Sequence, residues 1–216
     1  MEPTPLAAVT DDVWRWSVWN EPRKLWFNGH LLRVDGVAIL IDPVAVEESV
    51  ATALAPIIAA CTACWCVVTN ADHGRAAREV AARFMAELAV PRADAARLEL
   101  TGARLLDDGD DLAGLRVVRV PDAKSPGESA LYWPARRLLV LGDAAVGRPR
   151  GALAMLADDK FADPAAARAG AAGLAALGVE IVLVGDGDDL LAGGGAALTA
   201  LTAGPASAPK PSVPGC

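Results

Sequence analysis

Histidine is nearly missing from this chain: its 216 residues include two, His30 and His73. A site built on several imidazoles is therefore excluded. Basic residues are outnumbered as well. The net charge of -7 and a pI near 4.8 argue against binding a phosphate backbone as the main task. No apolar run reaches the length needed to span a bilayer. Met1 to Asp12 has neither a basic start nor an apolar stretch, so no secretion signal is expected. Cysteine is sparse: Cys61, Cys64 and Cys66 crowd together, and Cys216 ends a Pro-rich tail. That is no disulfide framework, and a reduced cytoplasmic setting fits it better. Without a second cysteine pair, a zinc site there is also disfavoured.

What is present is a globular composition, 53% hydrophobic and 22% charged, of a size for one domain with its own core. Residues 13–202 are expected to form that domain, after an N-terminal extension over 1–12. Residues 203–216, rich in Pro, Ser and Ala, read as a disordered tail.

Val13 to Trp19 reads as a strand, and Leu31 to Val34 with Val37 to Ile41 as a hairpin turned at Asp35-Gly36. Glu47 to Ala60 is helix-like despite Pro56, and Trp65 to Thr69 is a buried strand. Over His73 to Leu88, Ala76, Val80, Phe84 and Leu88 recur every fourth residue, predicting a helix capped by Asp72. Arg75, Arg78, Glu79 and Arg83 fall outside that stripe and can stay solvated. Strands follow at Arg104 to Leu106 and Leu115 to Val120, then a hairpin of Ser129 to Trp133 and Arg137 to Leu141. A helix over Pro164 to Leu177, capped by Asp163 and stopped by Gly178, precedes a strand over Val179 to Val184 and a helix over Leu190 to Leu201. Hairpins, helix, strand and helix occur twice in that order. Two sheets with helices outside both is the economical packing, an α/β (αββα) four-layer sandwich.

Four motifs carry chemistry. Ile41-Asp42-Pro43 ends the first hairpin. A strand runs into Thr69-Asn70-Ala71-Asp72-His73. The turn Lys124-Ser125-Pro126-Gly127-Glu128 precedes the second hairpin, which ends in Gly142-Asp143. The last strand ends in Gly185-Asp186-Gly187. Taken singly, Asp72 is a helix cap, Lys124 a surface lysine, and Asp143 and Asp186 turn residues. Together and in this order they resemble the metallo-β-lactamase superfamily from about Trp14 to Ala200, in a divergent branch marked by T-N-x-D-H and K-S-P-G-E. The resemblance implies a fold of two mixed β-sheets with helices on both outer faces. It also implies a site where histidines and aspartates hold two cations about 3.5–4 Å apart.

Here most of those histidines are replaced. By the resemblance, the first metal would need ligands at Val68, Asn70 and Lys124. Valine has no donor atom, and a protonated lysine has no lone pair. That position is expected to hold no metal, with Lys124 and Asn70 standing in for the ion beside Asp143. The second position keeps Asp72, His73, Asp143 and Asp186. This hard, oxygen-rich set leans toward one Mn²⁺, Fe²⁺ or Mg²⁺ ion, with Zn²⁺ also compatible. In that reading Lys124 stabilises an anionic transition state and Glu128 supplies proton transfer. A metal-free Asp–Lys–Asn network is the other reading.

Two functions stay open. One is a hydrolase with at most one divalent metal, acting on a small ester, thioester or phosphoester. The other is a non-catalytic pseudo-enzyme serving as a ligand-binding or scaffold module. The partner expected is a small molecule, with no nucleic acid and no membrane. The tryptophans crowded before Phe27 suit strand packing, a homodimer interface being one use of them.

Overall fold

Consecutive apolar residues, not alternating ones, mark the central strands, because both faces of each sheet are covered. The computed structural model describes residues 4–203. The first half of the chain runs β1 (Ala7–Thr10), β2 (Val13–Asn20), β3 (Leu25–Val34), β4 (Val37–Ile41), α1 (Glu48–Ala59), β5 (Ala63–Val67), α2 (Ala77–Phe84), β6 (Glu87–Pro91), α3 (Ala95–Leu98) and β7 (Arg104–Leu106). The second half runs β8 (Asp111–Leu112), β9 (Leu115–Arg119), β10 (Ser129–Trp133), β11 (Leu138–Leu141), α4 (Pro164–Gly173), β12 (Ile181–Val184) and α5 (Gly194–Ala200).

The strands β1 to β7 lie in sequence order in one sheet, antiparallel through β4 and parallel from β4 to β7. The other sheet has the order β12-β11-β10-β9-β8, with β11 and β12 parallel. Ile39 and Ile41 of β4 face Leu131, Val140 and Leu183 of the second sheet in the inner core. Ala38 and Leu40, pointing the other way, meet Val50 and Leu54 of α1 and Val80 of α2. Leu139 and Val182 turn outward to Ala171 and Leu198 on α4 and α5. The αββα sandwich follows from this two-sided burial.

Several local signals act as their chemistry dictates. Asp35 and Gly36 both take positive φ, +47° and +79°, as a two-residue hairpin turn requires. The Asp163 side chain accepts from Ala165 N and Ala166 N and caps α4.

Other expectations need correction. The helix foreseen over His73 to Leu88 is a 3₁₀ turn over Ala71–His73, then α2, which stops where Met85 turns left-handed at φ +51°. Leu88 belongs to β6 and pairs with Cys66. Asp72 lies inside the 3₁₀ turn and does not cap α2. Residues 7–10 are not an extension but an edge strand paired with β2. The last helix starts at Gly194, because Leu190 is held in a bridge to Val182. The tail and Cys216 lie outside the described residues, Ala203 excepted. No helix among the described residues is long and apolar enough to cross a membrane.

The two sheets are stitched at their functional edge by Asn28, which is fully buried. Its Nδ2 donates to Val184 O and Gly187 O, both at 2.8 Å, and its Oδ1 accepts from Ser17 Oγ at 2.7 Å. Asn28→Ala removes all three bonds and orphans two carbonyls. We expect it to cost about 3 kcal/mol in a urea unfolding titration. A loss below about 0.5 kcal/mol would deny the stitch any weight.

Candidate functional site

The C-terminal ends of β4, β5, β11 and β12 open onto one edge of the sandwich, where open α/β sheets place their ligands. Asp42 follows β4, Thr69 to His73 follow β5, Asp143 follows β11 and Asp186 follows β12. Close approach at this edge relies on two glycines. A Cβ on Gly142 would lie 2.3 Å from Thr69 Oγ1, and one on Gly185 2.3 Å from His73 Cε1. The Gly-Asp pairs are therefore packing requirements as well as turn chemistry.

Asp42 is the inner anchor. Its carboxylate accepts from Thr69 N at 2.8 Å and Thr69 Oγ1 at 2.6 Å, and lies 2.7 Å from His73 Nδ1. His73 Nε2 faces Asp143 Oδ1 at 3.4 Å. Burial alone would pull the His73 pKa down, and the Arg75 charge also opposes protonation. Asp42 and the bond to Asp143 override both and raise it to about 10.

Lys124 Nζ lies 2.6 Å from Asp143 Oδ2 and 2.7 Å from Asp72 Oδ2. Burial works to lower its pKa, but the two carboxylates raise it. Burial likewise pushes Asp143 up, but bonds from His73 and Lys124 hold it well below the usual carboxylate range. The turn carrying Lys124 is held by buried Asp94, which accepts from Ala71 N at 2.8 Å, Gly127 N at 3.0 Å and Ser125 Oγ.

Arg75 changes the site most. Expected in solvent, its side chain is 14% exposed. It bends back so that Nη2 donates to Asp186 Oδ1 and lies 3.1 Å from His73 Nε2, while Nη1 donates to Gly185 O at 3.3 Å. The guanidinium stacks 4.2 Å from the Phe27 ring centroid.

The expected site residues thus divide. His73, Asp143, Asp186 and Lys124 share one cleft of about 310 Å³ with Asn20, Arg23, Phe27, Asp72 and Arg75. Asp72 lies outside the His73–Asp143–Asp186 donor group, shares Lys124 with Asp143 and stays 40% exposed. Asn70 is not a donor to Asp143. Its Oδ1 accepts from Asp72 N at 2.8 Å, and its buried Nδ2 has no partner. Glu128 is sealed beneath the cleft and accepts from Ala144 N at 3.2 Å. Burial, reinforced by the Asp143 charge, raises its pKa well above normal. Glu128 does not line the cleft. Asp42, Arg75 and Asp94 were missed as site residues. Asp42 was visible in the Asp-Pro turn, whereas Arg75 carried no signal in its local pattern.

Away from this edge, His30 is buried with Nε2 3.4 Å from Asp189 Oδ2, a structural pair. Burial, with Cys61 nearby, raises the Cys64 thiol to about 11, so it is inert at neutral pH.

A family model described as the metallo-β-lactamase superfamily matches residues 7–204. No curated protein matches the chain in sequence. Among solved structures, a metallo-β-lactamase from Pontibacter korlensis is similar at TM-score 0.69 and 14% identity, covering 92% of this chain and 96% of its own. The DIM-1 metallo-β-lactamase is similar at 0.72 and 13% identity, with 94% and 97% covered. VMB-1 is similar at 0.70 and 13% identity, with 92% and 94% covered. At such identities the likeness establishes the fold.

The superfamily implies metal, and His73, Asp143 and Asp186 do offer donor atoms within 4.8 Å of one another. The arrangement as folded does not fit a cation. Arg75 already lies against two of the three donors, and a guanidinium keeps its charge in proteins.

The raised His73 pKa has a stability consequence. The folded value, about 10, lies above the ordinary 6.5. Stability from the proton is fully present below pH 6.5 and is lost as pH rises toward 10. Thermal unfolding should show wild type weakening across that window and His73→Gln, already less stable, staying flat. Parallel profiles would remove the proton from His73.

Proposed function

Because the chain belongs to the metallo-β-lactamase superfamily yet places its own cations among the carboxylates, we propose that it is a small-molecule-binding protein of that fold that uses no resident metal. One observation carries this reading: Arg75 Nη2 lies between His73 Nε2, 3.1 Å away, and the Asp186 carboxylate. Lys124, between Asp72 and Asp143, does the same on the other side of Asp143. Two tethered cations then offset most of the charge of a carboxylate cluster that would otherwise attract free ions. Such a cluster left uncompensated at this depth is costly.

In this reading the cleft binds through hydrogen bonds and charge. Lys124 and Arg75 orient an incoming polar group, and Asp42 fixes the His73 ring. Glu128 is a sealed structural acid with no part in proton transfer to a ligand. A single-metal hydrolase is the second reading, favoured by the mutual approach of the His73, Asp143 and Asp186 donor atoms. It requires Arg75 to leave them.

Metal quantification and thermal unfolding separate the two. Wild type, purified from medium supplied with Zn²⁺, Mn²⁺ and Fe²⁺, should carry substoichiometric metal and show no thermal shift with any of them. Arg75→Ala should acquire close to one metal per chain. Stoichiometric metal in wild type would defeat the proposal, as would a thermal shift worth about 2.7 kcal/mol at a hundredfold excess over Kd. Lys124→Met, by leaving buried Asp143 with His73 as its remaining charged partner, should lower stability by about 2 kcal/mol in the same assay.

A further inference from the structure

We propose that the polar cleft is the head-group end of a longer site for an amphipathic anion, a molecule with an aliphatic chain and a single carboxylate-like head. The inference rests on the metal-free binding reading above and names the ligand class of that site.

A groove of about 960 Å³ runs beside the cleft, between Val18 of β2, Phe27 of β3 and the side of α2 that carries Glu79, Val80 and Arg83, and the two share Phe27 and Arg75. Its floor is Val44 and Val80, 4% and 3% exposed. Its walls are the half-buried Val18, Phe27 and Val46. Charged groups, Glu79 and Arg83 among them, join the lining from α2. The volume is that of small-molecule sites, which are mostly apolar with few polar groups. The half-buried walls are apolar surface that an aliphatic chain would remove from water, at about 25 cal/mol per Å² covered.

Arg75 is the junction. One face of its guanidinium lies on the Phe27 ring, while its N–H groups point to Asp186 and Gly185 O. A chain following Phe27 out of the groove therefore arrives at a cationic, hydrogen-bonding edge.

The cleft keeps hydrogen-bond donors free for an anionic head group. An ammonium has three N–H donors, and Lys124 directs two of them at Asp72 and Asp143. The third remains for a ligand, and the side chain is 24% exposed. Arg23 lines the same cleft and has no carboxylate partner among the described residues. The other cationic side chains of the lining, Lys124 and Arg75, are already paired with Asp72, Asp143 and Asp186. With Arg23 the three cations of the lining balance its three carboxylates, so an incoming anionic head is met by free donors, the third Lys124 N–H and the Arg23 guanidinium. A flat protein surface could cover the groove but could not enter the cleft, whereas one small molecule lying along the shared Phe27 and Arg75 would contact both.

The test is calorimetry of the full chain with hexanoate, octanoate and decanoate, below micellar concentrations, with decylammonium as the charge-reversed control and metal content measured on the same sample. Affinity should rise about fourfold per added methylene if each is fully buried. Decylammonium should bind at least about tenfold more weakly, a single lost charge–charge contact being enough. Val46→Asp, at the groove wall, should abolish the chain-length dependence. Arg23→Glu should weaken all three carboxylates by a common factor and leave the increment per methylene unchanged. Affinity independent of chain length, equal binding of decylammonium, or unaltered decanoate binding by Val46→Asp would each overturn the proposal. So would a wild-type dimer that ignores decanoate and dissociates in Val46→Asp, because the groove would then be a self-interface. Metal-free protein that ignores decanoate defeats this inference alone. Metal-loaded protein that binds decanoate with the expected increments defeats the metal-free reading and leaves the ligand class standing.

Discussion

Compensation of converging carboxylates is the constraint on which this edge of the molecule depends. Asp42, Asp72, Asp143 and Asp186 are brought together by the ends of β4, β5, β11 and β12. Three of them are at most 5% exposed. At that depth unpaired charges cost several kcal/mol each, so the fold must supply cations or protons. It supplies Lys124 from the turn before β10, Arg75 from the segment before α2, and a proton on His73. Each cation is tied into the chain and cannot diffuse away. In the proposed reading the edge needs no free ion.

The scaffold serves that arrangement. Two-sided burial of the strands fixes the sandwich, and the parallel strands point the acidic turns the same way. Gly142 and Gly185 let Thr69 and His73 approach their neighbours. Asp94 fastens the Lys124 turn to the 3₁₀ turn carrying Asp72 and His73. Asn28 fastens the loop carrying Asp186 to the first sheet. Two different sheets thus contribute charges to one cleft with positions set by backbone-directed hydrogen bonds.

Most of the fold was legible in the sequence, because its signals are local. The Asp35-Gly36 turn, the Asp163 cap and the apolar runs of β4, β10, β11 and β12 each act within a few residues. The family motifs also placed His73, Lys124, Asp143 and Asp186 at one edge. Illegible features are those decided by distant partners. Leu88 fits the stripe of the preceding helix, and only pairing with Cys66 makes it strand. Arg75 looks solvated on a helical wheel, yet it pairs with a carboxylate 111 residues away. Asp72 sits at a ligand position by motif, but it stays outside the donor group and pairs with a lysine 52 residues later. Nothing local to Glu128 marks its burial, which is set by the strands packed around it.

The cation-filled site and the adjoining apolar groove share one residue, Arg75, so its position decides both the metal and the ligand reading. The most direct measurement is an anomalous-scattering crystal structure of the chain grown with excess Mn²⁺. The account predicts no anomalous peak among His73, Asp143 and Asp186, with the Arg75 guanidinium in contact with Asp186. A peak at that point, with Arg75 displaced, would contradict it.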